Sequence, residues 1–171
     1  MRGQISVDYY VSVILFISFV IYILFQLTRF LPTYINAVQD QRIRVEAYQI
    51  SELLMNDPGV PVDWENLSED NLGQIQRIGL SDGSQNKTNL VNIKKVRSLN
   101  TTCASVNGYN ILRGTMGTEY FFSIIMIDKS NGELLVSCSP PEQFVRATKV
   151  DFRRVFSMGS NDYGELILQL W

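Results

Sequence analysis

The chain contains no histidine, which removes the commonest general base and the commonest metal ligand together. It contains two cysteines, Cys103 and Cys138, so one pairing at most is available. Basic excess is also missing: 15 Lys and Arg stand against 17 Asp and Glu, for a net charge of −2. With no dense Lys/Arg patch interleaved with aromatics, no nucleic-acid partner is expected. Charge is absent altogether from residues 9–27. A secretory signal peptide would end such a run in small residues marking a cut on its far side. Here Thr28, Arg29, Phe30 and Leu31 follow instead.

What is present divides unevenly. At 171 residues there is room for one domain and an appendage, and the 46% hydrophobic content is ordinary for a folded protein, yet the first thirty residues hold a disproportionate share of the Ile, Phe and Val. Residues 6–27 are long and apolar enough to cross a hydrocarbon core as a helix, which takes roughly 20 residues. Such Val-, Ile- and aromatic-rich sequence is poor material for a free helix in water; in lipid or in a packed bundle it is natural. Pro32 lacks a backbone donor and predicts a kink or short break. Beyond it Ile43, Ala47, Ile50 and Leu54 recur at helical spacing with Arg42, Arg44, Glu46 and Gln49 between them. An amphipathic helix over about 33–55 follows, stopped by Asn56-Asp57-Pro58-Gly59.

Residues 60–100 are turn-rich, with Trp64 and the stretch 75–80 as apolar islands, and the remainder reads as strand. Residues 119–128 and 132–137 flank Lys129-Ser130-Asn131, a hairpin turn closed by Gly132. Residues 145–157 and 165–171 form a second pair joined by 158–164, and in the last strand Leu166, Leu168 and Leu170 share one face. The expected architecture is α+β: a long hydrophobic N-terminal helix packed through its second half on an antiparallel sheet. Cys103 and Cys138 fall in segments that look like strand edges. They are either a disulfide, favoured by an oxidising compartment, or two buried thiols. The sequons at Asn66, Asn86 and Asn100 make these candidate glycosylation sites and fit an extracytoplasmic surface.

Other patterns carry less. Gly79-Leu80-Ser81-Asp82-Gly83 lacks the spacing of a nucleophile elbow and any histidine to activate its serine, so it reads as a turn. Asp57, Asp63, Glu65, Glu69 and Asp70 match no EF-hand and read as a solvated acidic loop. Trp64 reads as a cap over the sheet. The aromatics of the apolar run read as core or interface anchors rather than an electron path. No catalytic residue, cofactor or metal is expected.

The residues Arg2-Gly3-Gln4-Ile5-Ser6-Val7-Asp8, abutting the uncharged run, resemble the class III signal sequence of archaeal type IV pilin-like proteins. In that family the cut follows a glycine preceded by Lys or Arg, and the mature chain begins Gln-x-Ser-x-Glu. The resemblance implies that a prepilin peptidase removes residues 1–3 by cleaving between Gly3 and Gln4, and that the apolar run is kept. Asp8 stands where the family has Glu, and Ser12 where it has an aliphatic residue. Cleavage would leave an α-amine on Gln4, one helical turn from Asp8. A lone carboxylate in an apolar bundle is costly, whereas the amine of a neighbouring subunit can pair with it and set register. The alternative is an acid near a helix N-terminus stabilised by the macrodipole.

Orientation is contested within the sequence. Arg2 precedes the run, while Arg29, Arg42 and Arg44 follow it, so the positive-inside rule alone would put the larger part in the cytoplasm. The resemblance, the sequons and the cysteines favour the outside. The expected division is a leader at 1–3, a membrane and filament-core helix at 4–31, and an extracytoplasmic head at 32–171. The expected function is a structural subunit, a pilin or minor pilin, with the peptidase, the membrane before assembly and other pilin subunits as partners. The alternatives are an unassembled single-pass protein presenting an external binding domain, and a membrane-anchored enzyme.

Overall fold

A computed structural model of the chain describes residues 4–83, 89–141, 149–159 and 162–171, with the side chains of 4–6, 69 and 70 outside the description. The chain divides into two units, 1–41 and 42–171. In the first, the described residues form helix only, the opening part of α1 (Gln4–Asn56). The break predicted at Pro32 does not occur, because α1 carries Pro32 inside it as one helix of 53 residues. A proline removes one N–H, while a break in apolar surroundings would strand several backbone groups without partners.

The second unit is built on the last turns of α1. Ile43, Ala47, Ile50 and Leu54 are all buried, together with Ser51 and Met55, which gives the helix the inward face its periodicity predicts. Four strands follow: β1 (Phe122–Asp128), β2 (Leu134–Cys138), β3 (Val150–Ser157) and β4 (Tyr163–Leu170). All neighbours are antiparallel, in the order β2-β1-β4-β3. Leu166, Leu168 and Leu170 are fully buried on one face and join the α1 residues in a single core with Phe122, Ile124, Met126 and Val136. Polar contacts fasten helix to sheet at the core's margin. Arg154 of β3 pairs with Glu52 and lies over the Tyr48 ring at 5.2 Å, and Tyr48 meets Phe152 edge-on at 5.8 Å. The architecture is therefore α+β, with the second half of a long helix on an antiparallel sheet.

The first hairpin turns where expected. Asp128 Oδ1 accepts from the Ser130 N–H at 2.8 Å, and Gly132, at φ +76°, sends its N–H back to the Asp128 carbonyl at 2.9 Å. That left-handed backbone is what glycine adopts without steric cost. On the outward side Lys129 lies 2.7 Å from Glu165, and its hydrogen bond holds the Glu165 carboxyl below its ordinary range, with Arg153 assisting.

Between α1 and the sheet the sequence reading needs correction. The stretch read as turns and then strand contains two helices, α2 (Ile93–Cys103) and α3 (Val106–Thr115). Each starts on a side-chain cap: Asn92 accepts from the Lys94 N–H at 2.9 Å, and Ser105 from the Gly108 N–H at 3.0 Å. Cys103 is accordingly the last residue of a helix and not at a strand edge. The loop before α2 is pinned from inside. Trp64 is fully buried in a 3-10 turn, its indole N–H donating to the Gly79 carbonyl at 2.9 Å. Its ring also fills the space that a side chain at Gly59, φ +87°, would need. Asp57, assigned from sequence to a solvated acidic loop, pairs instead with Arg77 at 2.8 Å and accepts from the Gly59 N–H.

Candidate assembly and processing site

The candidate site lies at the start of α1. Gly3 is outside the described residues. Gln4 is the first described residue of α1, and Asp8 follows four residues on, a rise of about 6 Å. Asp8 is exposed and makes no ion pair or side-chain hydrogen bond among the described residues. It also lies beyond the first turn of α1, which holds no acid. Stabilisation by the helix macrodipole falls off within that turn, so the helix itself offers this carboxylate little.

Around Asp8 the described surface of α1 is mostly apolar, with Ser12 one turn on. Of the residues from 7 to 38 only Val13 and Gln26 are even half-buried, and Phe16, at 67% exposure, is typical. An 18-residue window here reaches a mean hydropathy of 2.4 with none of it buried. A helix apolar all round has no water-facing side; by length and composition this one can cross a membrane, and it is compatible with membrane anchoring. Further along, three polar side chains find partners within the helix. Gln26 donates to the Tyr22 hydroxyl at 2.8 Å, Thr28 donates to the Phe25 carbonyl at 2.9 Å, and the Arg29 guanidinium lies over the Phe25 ring at 5.4 Å. Asp8, a charge, has no such neighbour among the described residues.

The remaining predicted residues lie in the second unit. Cys103 and Cys138 are joined, with Cα atoms 5.5 Å apart, so the last turn of α2 is fastened to the end of β2. Asn66 is exposed at the end of its 3-10 turn. Asn100 is exposed on α2, where its Oδ1 accepts from the Ser137 N–H at 3.0 Å. Its Nδ2, the atom a glycan would occupy, makes no hydrogen bond among the described residues. Asn86 lies outside the described residues.

Sequence reasoning missed a buried cation. Lys95, 2% exposed, sends its ammonium to the Pro58 carbonyl at 2.6 Å and the Ser81 carbonyl at 3.1 Å. Burial lowers its pKa from the ordinary lysine value, against the opposing pull of Glu65, Asp82, Asp57 and Asp63. It is a clamp between α2 and the preceding loop. Among the described residues no group of three or more Cys, Asp or Glu is placed to hold a metal ion. Compared with protein-family models, with curated proteins and with solved structures, the chain has no match.

Proposed function

We propose that this chain is a structural subunit, a pilin or minor pilin of a type IV pilus-like surface filament. One observation carries the reading: an exposed stretch of α1, uncharged over residues 9–27, that is preceded by one carboxylate, Asp8, unpartnered among the described residues and one turn after Gln4. Lipid answers the apolar surface but not the carboxylate, since a lone charge in hydrocarbon is costly. An array of the same helix answers both. A prepilin peptidase cuts between Gly3 and Gln4, the helix holds the precursor in the membrane, and on assembly the Gln4 amine of one copy pairs with Asp8 of another. The second unit, with its disulfide, is then displayed outside the cell.

The test follows the order of events. Mass analysis of the mature chain is expected to give an N-terminus at Gln4, with Gly3→Val leaving the precursor uncut and unassembled. Asp8→Ala is expected to keep membrane insertion and cleavage while sheared surface filaments lose the chain. A Gly3→Val chain that still matures at Gln4, or that enters filaments uncut, overturns the proposal. Correct cleavage with no filament containing the chain favours the single-pass anchor with an external binding domain.

A further inference from the structure

The second unit carries a cleft, open to solvent, of about 410 Å³, within the range of small-molecule sites, about 300–1,000 Å³. Its walls are the two 3-10 turns Trp64–Asn66 and Glu69–Gln74 with the residue following the first, the outer turns of α2 and the start of α3. Glu65 lines it; one oxygen of that carboxylate, Oε2, is sealed from solvent with no hydrogen-bond partner among the described residues, so a ligand in the cleft would meet the other, Oε1. Ser98 and Asn107 also line it, and neither side chain makes a hydrogen bond among the described residues. The Ser105 hydroxyl accepts from the Gly108 N–H and keeps its own hydrogen to donate. Leu72 adds apolar wall.

This inventory selects a class of ligand. No Lys or Arg lines the cavity, while Glu65 does; the Lys95 ammonium that Glu65 attracts is committed to the Pro58 and Ser81 carbonyls, so an anion finds no cation among the lining residues. An ammonium group would suit Glu65 but only donates, so it gains nothing from the Ser105 hydroxyl hydrogen and the Asn107 amide hydrogens, which are exposed and stay with water. A sugar hydroxyl both donates and accepts, so vicinal hydroxyls can answer a carboxylate, an amide and a serine at once, with a C–H face against leucine. We infer that this cavity binds a saccharide. Two sources share that chemistry. Asn66 sits between the lining residues Glu65 and Leu67, and Asn100 precedes the lining residues Thr101 and Thr102. The sugar is therefore either the chain's own glycan on one of these sequons or an external one. The inference needs only the second unit and is independent of the filament reading.

The full chain, made in a bacterial host that adds no glycan to sequons and held in a detergent without a sugar headgroup, is titrated separately with glucose, galactose, mannose, N-acetylglucosamine and ethanolamine while its amide resonances are followed. At least one saccharide is expected to shift the amides of residues 98–107 saturably, with Kd on the order of 1 mM. Glu65→Gln and Asn107→Ala are each expected to weaken that binding about tenfold, with the thermal midpoint and the disulfide kept. Failure of every saccharide to saturate, a stronger response to ethanolamine at the same amides, or wild-type binding by both variants overturns the inference. A second arm separates the sources, using chain purified from its native cells with Asn66 or Asn100 glycosylated. If these amides are already shifted and free sugar no longer moves them, the occupant is the chain's own glycan; if free sugar still titrates them, the ligand is external.

Discussion

Phe122 owes its outward backbone hydrogen bonds to a tyrosine. The register that sets Ile124 opposite Cys138 would bring Pro140 opposite Phe122 if β2 continued, and Pro140 has no N–H to give. The Tyr109 hydroxyl takes that place, donating to the Phe122 carbonyl and accepting from its N–H, both at 2.9 Å, with the two rings stacked 4.6 Å apart. Burial raises the Tyr109 pKa, which keeps the hydroxyl a donor. Tyr109→Phe retains the ring and leaves both peptide groups unanswered, so a loss of about 1–3 kcal/mol is expected by urea denaturation, with the slope unchanged. An unaltered midpoint would show that water replaces the hydroxyl at no cost. Nothing in the sequence around Tyr109 announces this role, because the residue it serves is 13 positions away and known only through the strand register. Asp8 stands out in the sequence for the opposite reason, as the one acid bordering a stretch without charge.

At the scale of elements, legibility tracked the regularity of side-chain spacing. The helix face at Ile43, Ala47, Ile50 and Leu54, the Gly132 hairpin and the Leu166, Leu168, Leu170 stripe could all be read directly. α2 could not, although its buried residues, Lys95, Val96, Leu99, Thr102 and Cys103, follow helical periodicity. Two of the five are polar, so the pattern closes only once the partners of Lys95 are known, and Thr and Cys are indifferent helix formers. The caps Asn92 and Ser105 were the signal available. This poorly advertised helix is the one the disulfide holds, closing a loop with a sequence separation of 35 around α3, β1 and β2. Replacing Cys103 and Cys138 together by alanine is expected to cost about 3–4 kcal/mol on the chain-entropy account. Denaturation of the oxidised protein and the double variant measures it; equal midpoints would mean that the α2–β2 contact holds without the bond.

The whole molecule is two kinds of surface on one chain. Residues 32–41, grouped with the head in the sequence reading, bury no side chain, and the compact unit begins at Arg42. A fragment of residues 32–171 keeps every buried core residue and the disulfide, and a domain of that size can fold alone. It is expected to be soluble and monomeric by light scattering when made under oxidising conditions, whereas the full chain needs detergent or a filament. A fragment that aggregates with its disulfide formed would place the apolar half of α1 in the core instead.

The strand order has a consequence for synthesis. Within the sheet β3 touches only β4, which follows it in the chain, and β4 in turn lies against β1. A ribosome delivering strands in sequence cannot lengthen this sheet one neighbour at a time: until β4 has emerged behind it, β3 has no strand of the sheet to pair with, only its Ser157 bonds to Asn89 and Val91 and its side-chain contacts with Tyr48 and Glu52. The sheet must therefore close as the meeting of two hairpins along the β1–β4 seam. A nascent chain stalled before Tyr163 would leave the hydrogen-bonding edge of β1 open, with the row from Phe122 to Met126 beside it, and such an edge invites other chains.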